Sequence, residues 1–286
     1  MLFNMGKLPV SVIILTYNEE LNLENCFKSV VDWVGEIFVV DSYSTDKTLE
    51  IARKYGCQIV QHPFENQARQ FNWALDNLGI KNEWILRLDA DEYLTPELWG
   101  EIKETLPKIG KDISGFYIKR RVYFMGKWIK HGDYYPTWIL RLFRKGKGRS
   151  EERKMDEHII LLEGRAKKLA NDFIDDNKKN LEFWIDKHNK FSSREVEEIT
   201  KQLTTNDQQL TTKLSGQTAQ KRWLKENFYY RLPLFCRAFL YFIYRYFFRL
   251  GFLDGKEGLI FHFLQGFWYR FLVDAKFYEI KKYEKR

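Results

Sequence analysis

The sequence predicts an α/β fold: a mostly parallel, Rossmann-like sheet flanked by helices, followed by a C-terminal amphipathic helical hairpin. Three observations point there. Short apolar runs alternate with helical patterns over the first third, acidic turns close three of those runs, and aromatic and basic residues gather towards the end. Strands alternating with helices make βαβ units, whose parallel sheet is covered on both faces.

The run VSVIIL at 10–15 reads as a buried strand, followed by a helix over 19–31. A second strand, EIFVV at 36–40, runs into the polar turn DSYSTD at 41–46. Asp46 sits where a helix N-cap belongs, ahead of a helix over 47–55. A third strand is expected at 58–60 and a helix over 66–78. The fourth strand, EWILRL at 83–88, closes on DADE at 89–92, and Thr95 and Pro96 then supply an N-cap and a first-turn proline. Past Gly110 strands are expected over 115–122 and 137–143. The charged stretch 150–158 reads as a loop, and 180–200 as a helix interrupted around 191–193. Residues 204–220 read as a polar connector or an exposed helix.

The net charge of +8 is uneven, because residues 228–286 hold 11 Lys/Arg against 5 Asp/Glu and 21 of the 48 aromatics. Basic charge with aromatics fits a nucleic acid or an anionic membrane. Three cysteines spread as Cys26, Cys57 and Cys236 suit a reducing compartment and argue against a disulfide framework or a zinc ribbon. The run at 10–15 is too short for a secretory signal core. No stretch reaches the roughly 20 apolar residues of a conventional span.

In an open parallel sheet, ligands bind beyond the carboxyl ends of the strands. Three polar turns fall at such ends: TYNE at 16–19, DSYSTD at 41–46 and DAD at 89–91. The pair Asp89 and Asp91, two apart after a buried strand, suits a hard divalent cation completed by phosphate oxygens and water.

With these turns in place the chain resembles the family 2 glycosyltransferases of the GT-A fold, which use nucleotide-sugar donors. The similarity is carried by VSVIILTYNEE (10–20), VVDSYSTDKT (39–48), QARQFNWAL (67–75) and WILRLDADE (84–92), with RLFR (141–144), DEH (156–158) and KHN (187–189). The branch it resembles is the bacterial lipopolysaccharide-core and capsule glucosyltransferase-like enzymes. The resemblance implies that Thr16, Tyr17, Asn18 and Glu19 line the nucleotide. It implies that Asp41 holds the base or ribose, with Ser44 and Asp46 in the adjoining turn, and that Arg69 and Asn72 face the nucleotide. It places Asp89 near the ribose and metal and makes Asp91 the principal ligand of Mn²⁺ or Mg²⁺. Glu157 matches the family's glutamate base. This chain sets Asp156 before that glutamate and His158 after it, so Asp156 stays open as the alternative base. Trp128, His131 and Tyr134 are acceptor candidates, Arg141 and Arg144 acceptor or diphosphate candidates, and His158 is a ligand or a packing residue.

The implied domains are a catalytic domain at 1–165, a helical and polar connector at 166–227, and basic aromatic amphipathic helices at 228–286. The catalytic domain has a nucleotide-sugar half over 8–110 and an acceptor half over 111–165. In the tail, Arg237, Arg245 and Arg249 fall on one helical stripe, expected to snorkel towards anionic headgroups while the rings bury. Such a wide apolar face does not suit nucleic acid, which asks for a few stacking positions in a polar groove. The expected activity is inverting, metal-dependent transfer from a nucleotide-diphospho sugar, UDP-linked by preference. The acceptor would be a lipid-linked glycan or lipopolysaccharide precursor at the cytoplasmic face of the cell membrane, with the enzyme peripheral or monotopic. A nucleotidyltransferase is the enzyme alternative, though no Gly-rich phosphate loop follows the first strand. A non-catalytic membrane scaffold is the other.

Overall fold

The structure, a computed structural model, describes residues 6–153, 157–205 and 216–283. They fall into two units. The first holds the chain up to Arg120, Trp138–Glu152 and Glu157–Lys178. The second holds Arg121–Thr137, Arg153 and the chain from Lys179 onward.

In the first unit β1 (Leu8–Thr16), α1 (Leu23–Lys28), β2 (Val34–Asp41), α2 (Thr48–Lys54), β3 (Gln58–Gln61), α3 (Gln67–Asn77) and β4 (Trp84–Asp89) alternate as expected. There follow β5 (Glu92–Leu94), α4 (Pro96–Thr105), β6 (Ile113–Phe124), β8 (Thr137–Arg144), β9 (Gly148–Ser150), β10 (Ile159–Leu161) and β11 (Arg165–Asp175), with β7 (Lys127–Ile129) and the end of β6 falling in the second unit. The sheet order is β3-β2-β1-β4-β8-β6-β11-β5, parallel from β3 to β4 and antiparallel where β8 joins β4 and β5 joins β11. The β9–β10 hairpin stands apart as a two-stranded sheet.

Alternation along β1 divides the core. Val10, Val12 and Ile14 pack with Leu23 and Phe27 of α1 and Leu98 and Ile102 of α4 on one face, whereas Ile13 packs with Phe71 and Ala74 of α3 on the other. Burial of both faces explains why the strand is a continuous apolar run. The first helix is shorter than expected, because residues 19–22 spend their polar groups on the turn at the strand ends. Asn66 caps α3 by accepting from the Arg69 N–H, and Thr95 caps α4 by accepting from Leu98. The expected connector at 166–227 begins instead with β11, a sheet strand whose Phe173, Ile174 and Asp175 pair with β5. It carries Leu169 and Phe173 into the core, which the exposed Lys167 and Lys168 in its sequence obscure.

The second unit contains β7, paired with the end of β6, and helices α5 (Leu181–Thr205), α6 (Gly216–Asn227), α7 (Cys236–Ile243), α8 (Gly255–His262) and α9 (Tyr269–Tyr283). Part of the expected polar connector, 206–215, lies outside the described residues. Helix α5 runs unbroken through 191–193, where the Ser192 and Ser193 hydroxyls donate to the Asn189 carbonyl and so stay within the helix. Val196 and Ile199 of α5 share a core with Tyr269, Val273 and Phe277 of α9. Helix α5 therefore belongs to the same body as the tail helices.

The tail forms a hairpin of helices, continued by π-helical turns at Tyr244–Phe248 and Phe263–Trp268 and reversed by a tight turn at Gly251–Asp254. Its arginines depart from expectation. Arg237 is buried in an ion pair with Asp274, which is buried too. Arg245 is buried, donates to the Gly132 carbonyl at 2.7 Å and lies 3.8 Å over the Tyr134 ring. Arg249 pairs with Asp133 at 3.1 Å. Internal carboxylates and carbonyls satisfy these cations, so Arg237 and Arg245 do not reach outward. Removing one partner of a buried ion pair strands the other charge, at about 3–5 kcal/mol. Asp274→Ala is expected to lower stability by about that amount, read as a shift of the urea midpoint.

Candidate functional site

Strand register builds the site. Thr16 lies opposite Asp41 and Leu15 opposite Asp89, so the carboxyl ends of β2, β1 and β4 stand side by side at roughly 4.8 Å spacing. The chain moves outward from β1 to β3 and then returns to β4 on the other side of β1, which makes this edge a topological switch point.

Asp41 is fully buried and organises the first half. Its carboxylate accepts from the Thr16 hydroxyl at 2.9 Å, the Ser44 N–H at 2.9 Å, the Ser44 hydroxyl and the Gln61 amide at 3.2 Å. Asn18, in the left-handed region at φ 52°, donates its N–H to Ser44 and accepts the Thr45 N–H on its amide oxygen. Asp46 accepts from the Thr48 and Glu20 N–H groups, and the Glu19 N–H donates to the Thr48 hydroxyl. The turns after β1 and β2 are thereby sewn together. Tyr17 and Tyr43 leave their rings more than half exposed beside them.

The second half is a lattice of alternating charge. Arg87 of β4 and Arg141 of β8 are both buried. Arg141 contacts the Asp89 carboxylate at 3.1 Å and pairs with buried Glu92. Arg87 lies 3.7 Å from Asp89 and 3.4 Å from Glu157. Burial pushes the Glu92 carboxyl up, against the pull of Arg141. Burial likewise raises the Glu157 carboxyl above its ordinary range, opposed first by Arg87. Glu92 also accepts the Asp89 N–H at 3.0 Å, fixing the turn that carries Asp91.

Asp91 accepts the Asn177 amide at 2.8 Å on Oδ2, with its carbonyl taking the Asp176 N–H. Among the described residues none donates to its Oδ1. A carboxylate oriented through one oxygen and open at the other suits Mg²⁺ or Mn²⁺, whose shell is filled largely by phosphate and water. Among the described residues no three His, Cys, Asp or Glu side chains converge on one point, so a cation here would depend on ligands from the substrate. Asp89 has both oxygens against guanidinium groups and is the lesser donor.

Several expected residues have other tasks. Asn72 is buried, its amide donating to the Ser150 carbonyl at 2.9 Å and accepting the Ser150 N–H at 3.0 Å. It holds the strand leading towards 157. Arg69 is exposed and paired with Glu65. Arg144 sits opposite Trp84, at the amino end of β4, because β8 runs antiparallel there; it donates to the Ile113 carbonyl and stacks on Trp84 at 4.4 Å. Arg141, expected near diphosphate or acceptor, spends its Nη2 on Asp89 and Glu92, while its buried Nε has no hydrogen-bond partner among the described residues. The His158 N–H donates to the Glu151 carboxylate. Asp156 lies outside the described residues.

Trp128, His131 and Tyr134 belong to the second unit and have partners there. Arg121 and Lys130 lie 4.8 and 5.2 Å from the Trp128 ring, and Tyr134 packs edge-on against Phe261. His131 Nδ1 is 2.6 Å from Asp254. Although burial pushes the Asp254 carboxyl up, the neighbouring His262 ring and the hydrogen bonds from His131 hold it at about 2. His188 stacks on Trp184 at 3.5 Å, and its burial lowers the ring to about 4.

Arg87, Glu92 and Asn177 are absent from the sequence expectations. An arginine inside a fully apolar strand signals a buried pairing, whereas Asn177 meets Asp91 across 86 residues and leaves no local trace. Asn72→Ala leaves the buried Ser150 N–H and carbonyl unpaired, with an expected loss of about 1–3 kcal/mol measured by urea denaturation.

The sequence pattern of the family described as Glycosyl transferase family 2 matches residues 11–161, just over half the chain. The lipopolysaccharide core biosynthesis glycosyltransferase LpsC of Rhizobium meliloti (strain 1021) is 32% identical over 163 residues, covering 54% of this chain and 58% of that protein. A glycosyltransferase of Rickettsia bellii (strain RML369-C), named as uncharacterized, is 42% identical over 94 residues, covering 33% of this chain and 31% of its own. The chain thus spans from about a third to somewhat over half the length of these curated relatives. Glucosyl-3-phosphoglycerate synthase from Mycobacterium tuberculosis, solved with Mn²⁺, UDP and glucosyl-3-phosphoglycerate, aligns at 24% identity over 41% of this chain and 45% of that one, with a TM-score of 0.33. With its switch-point site and a family match running from β1 to β10, the chain belongs to glycosyl transferase family 2.

Proposed function

We propose that the protein transfers a sugar, with inversion, from a nucleotide-diphospho sugar, UDP-linked by preference, to a lipid-linked glycan or lipopolysaccharide precursor at the cytoplasmic membrane surface. The observation that carries this reading is the charge lattice at the switch point: Asp41 on one side, Asp91 oriented by Asn177 on the other, and raised, partly buried Glu157 held by Arg87. The similarity to LpsC supports the acceptor class.

Asp41 and the 16–19 turn bind the nucleoside, with Tyr17 beside it. Asp91, with Asp89 behind it, holds the cation. When bound, a Mn²⁺ or Mg²⁺ ion supplies Lewis-acid stabilisation of the diphosphate charge. Glu157 takes the proton of the acceptor hydroxyl as that oxygen attacks the anomeric carbon; Asp156 is the alternative. A base must be deprotonated, so the rate rises with pH through the pKa of Glu157, and its upward shift moves that limb towards neutrality. One base and a single displacement invert the anomeric centre.

Glu157→Gln is expected to lower kcat by about 10²–10⁴-fold; full activity in that variant would move the base to Asp156. Arg87→Met removes the cation opposing burial, so Glu157 rises further and the acidic limb of the kcat/KM profile moves to higher pH. An unmoved limb would uncouple Arg87 from the base. Asp91→Ala and chelation are each expected to abolish nucleoside diphosphate release in a screen of nucleotide sugars with Mn²⁺ or Mg²⁺. Release that persists in either case would remove the cation from the mechanism.

A further inference from the structure

The polarity of the tail hairpin is reversed from that of a soluble helical pair. Arg237, Arg245, Asp254, His262 and Asp274 all turn inward and are buried, while Arg249, paired with Asp133, and Lys256 lie at the surface beside the turn. The rings and aliphatic chains turn outward. Phe239, Leu240, Tyr244, Phe247 and Phe248 form a helical stripe on the first arm, with Phe248 75% exposed. Leu259, Ile260, Phe263 and Phe271 continue it on the second arm. Phe239 and Phe242 meet Phe267 across the two arms, each with ring centroids 6.5 Å apart, so the stripes join into one face. The turn adds Leu250, Phe252 and Leu253.

We infer that this face lies in the interface of a lipid bilayer and attaches by apolar insertion alone, without need of anionic lipid. The choice of occupant follows from the chemistry of the face. Over 236–248 and 258–272 the exposed side chains include no charge, and only Cys236 and Tyr244 carry a polar atom. A protein partner would meet a polar rim and about one hydrogen bond per 100–200 Å²; this face offers almost none, whereas hydrocarbon requires none. No helix among the described residues is long and apolar enough to cross a membrane, which leaves a hairpin lying in the interface. Of the three arginines expected to answer anionic headgroups, Arg237 and Arg245 are consumed internally, and half-exposed Arg249 is paired with Asp133. This inference deepens the membrane-surface reading above and rests on it.

Flotation of the full chain with vesicles tests it. Vesicles of phosphatidylcholine alone are expected to capture the protein as well as vesicles containing phosphatidylglycerol. Capture should persist in about 1 M NaCl, where the screening length is about 3 Å. Phe247→Ser combined with Phe248→Ser, both exposed and therefore compatible with folding, should lower the bound fraction at least about tenfold, with the circular dichroism spectrum unchanged. Capture by anionic vesicles only, release by salt, or no capture at all would overturn the inference. So would a dimer in solution that the double substitution dissolves. Nucleoside diphosphate release measured without vesicles reports on the transferase reading separately, so the two can fail independently.

Discussion

Two buried guanidinium groups make the acidic edge of the sheet possible. Asp89, Glu92 and Glu157 crowd one end of β4, and carboxylates in such a dry setting would otherwise protonate or push the strands apart. Arg87 and Arg141 come from neighbouring antiparallel strands and interleave with them. Each cation serves two carboxylates, and each lies over a ring, Phe71 at 5.0 Å and Phe173 at 5.5 Å. Among the described residues no guanidinium contacts Asp91, the carboxylate proposed to hold the cation. Glu157 is held in a tunable state between burial and Arg87.

The parallel half of the fold was plain in the sequence, because burial on both faces writes an uninterrupted apolar run and the turns after it carry their own polar signatures. Thr16, Asn18, Ser44 and Asp46 could be placed from the motif alone, since their partners lie on adjacent turns. Asn72 and Arg144 show the limit of such reading. Each matches a position in a motif, yet the direction of a side chain depends on pairings from distant segments: Ser150 for one, Trp84 and Ile113 for the other. Strand β11 was hidden by its lysines, which occupy the exposed positions of an otherwise core-facing strand.

The tail teaches a related lesson about charge. Composition assigned most of the net charge to residues 228–286 and suggested an electrostatic attachment. Composition counts charges without their partners, and here Asp274 pairs with Arg237, the Gly132 carbonyl accepts from Arg245, and Asp133 pairs with Arg249, all within the unit. The two arms of the hairpin leave a largely aromatic and aliphatic face exposed, with Arg249 and Lys256 at the surface by the turn. The same residues that suggested a basic surface therefore build an apolar one.

Glu195 has a consequence for how the second unit may be divided. This buried residue of α5 is contacted by Lys225 at 2.9 Å, Arg270 at 2.8 Å and the hydroxyls of Tyr230 and Tyr269. A chain shortened before residue 228 would lose three of these four partners and expose Val196 and Ile199, stripping the apolar face of α5 along with its charge balance. Deleting the hairpin would thus damage the helix that precedes it. The folded second unit is one cooperative element, and single outward-facing side chains are the scale at which its surface can be altered cleanly.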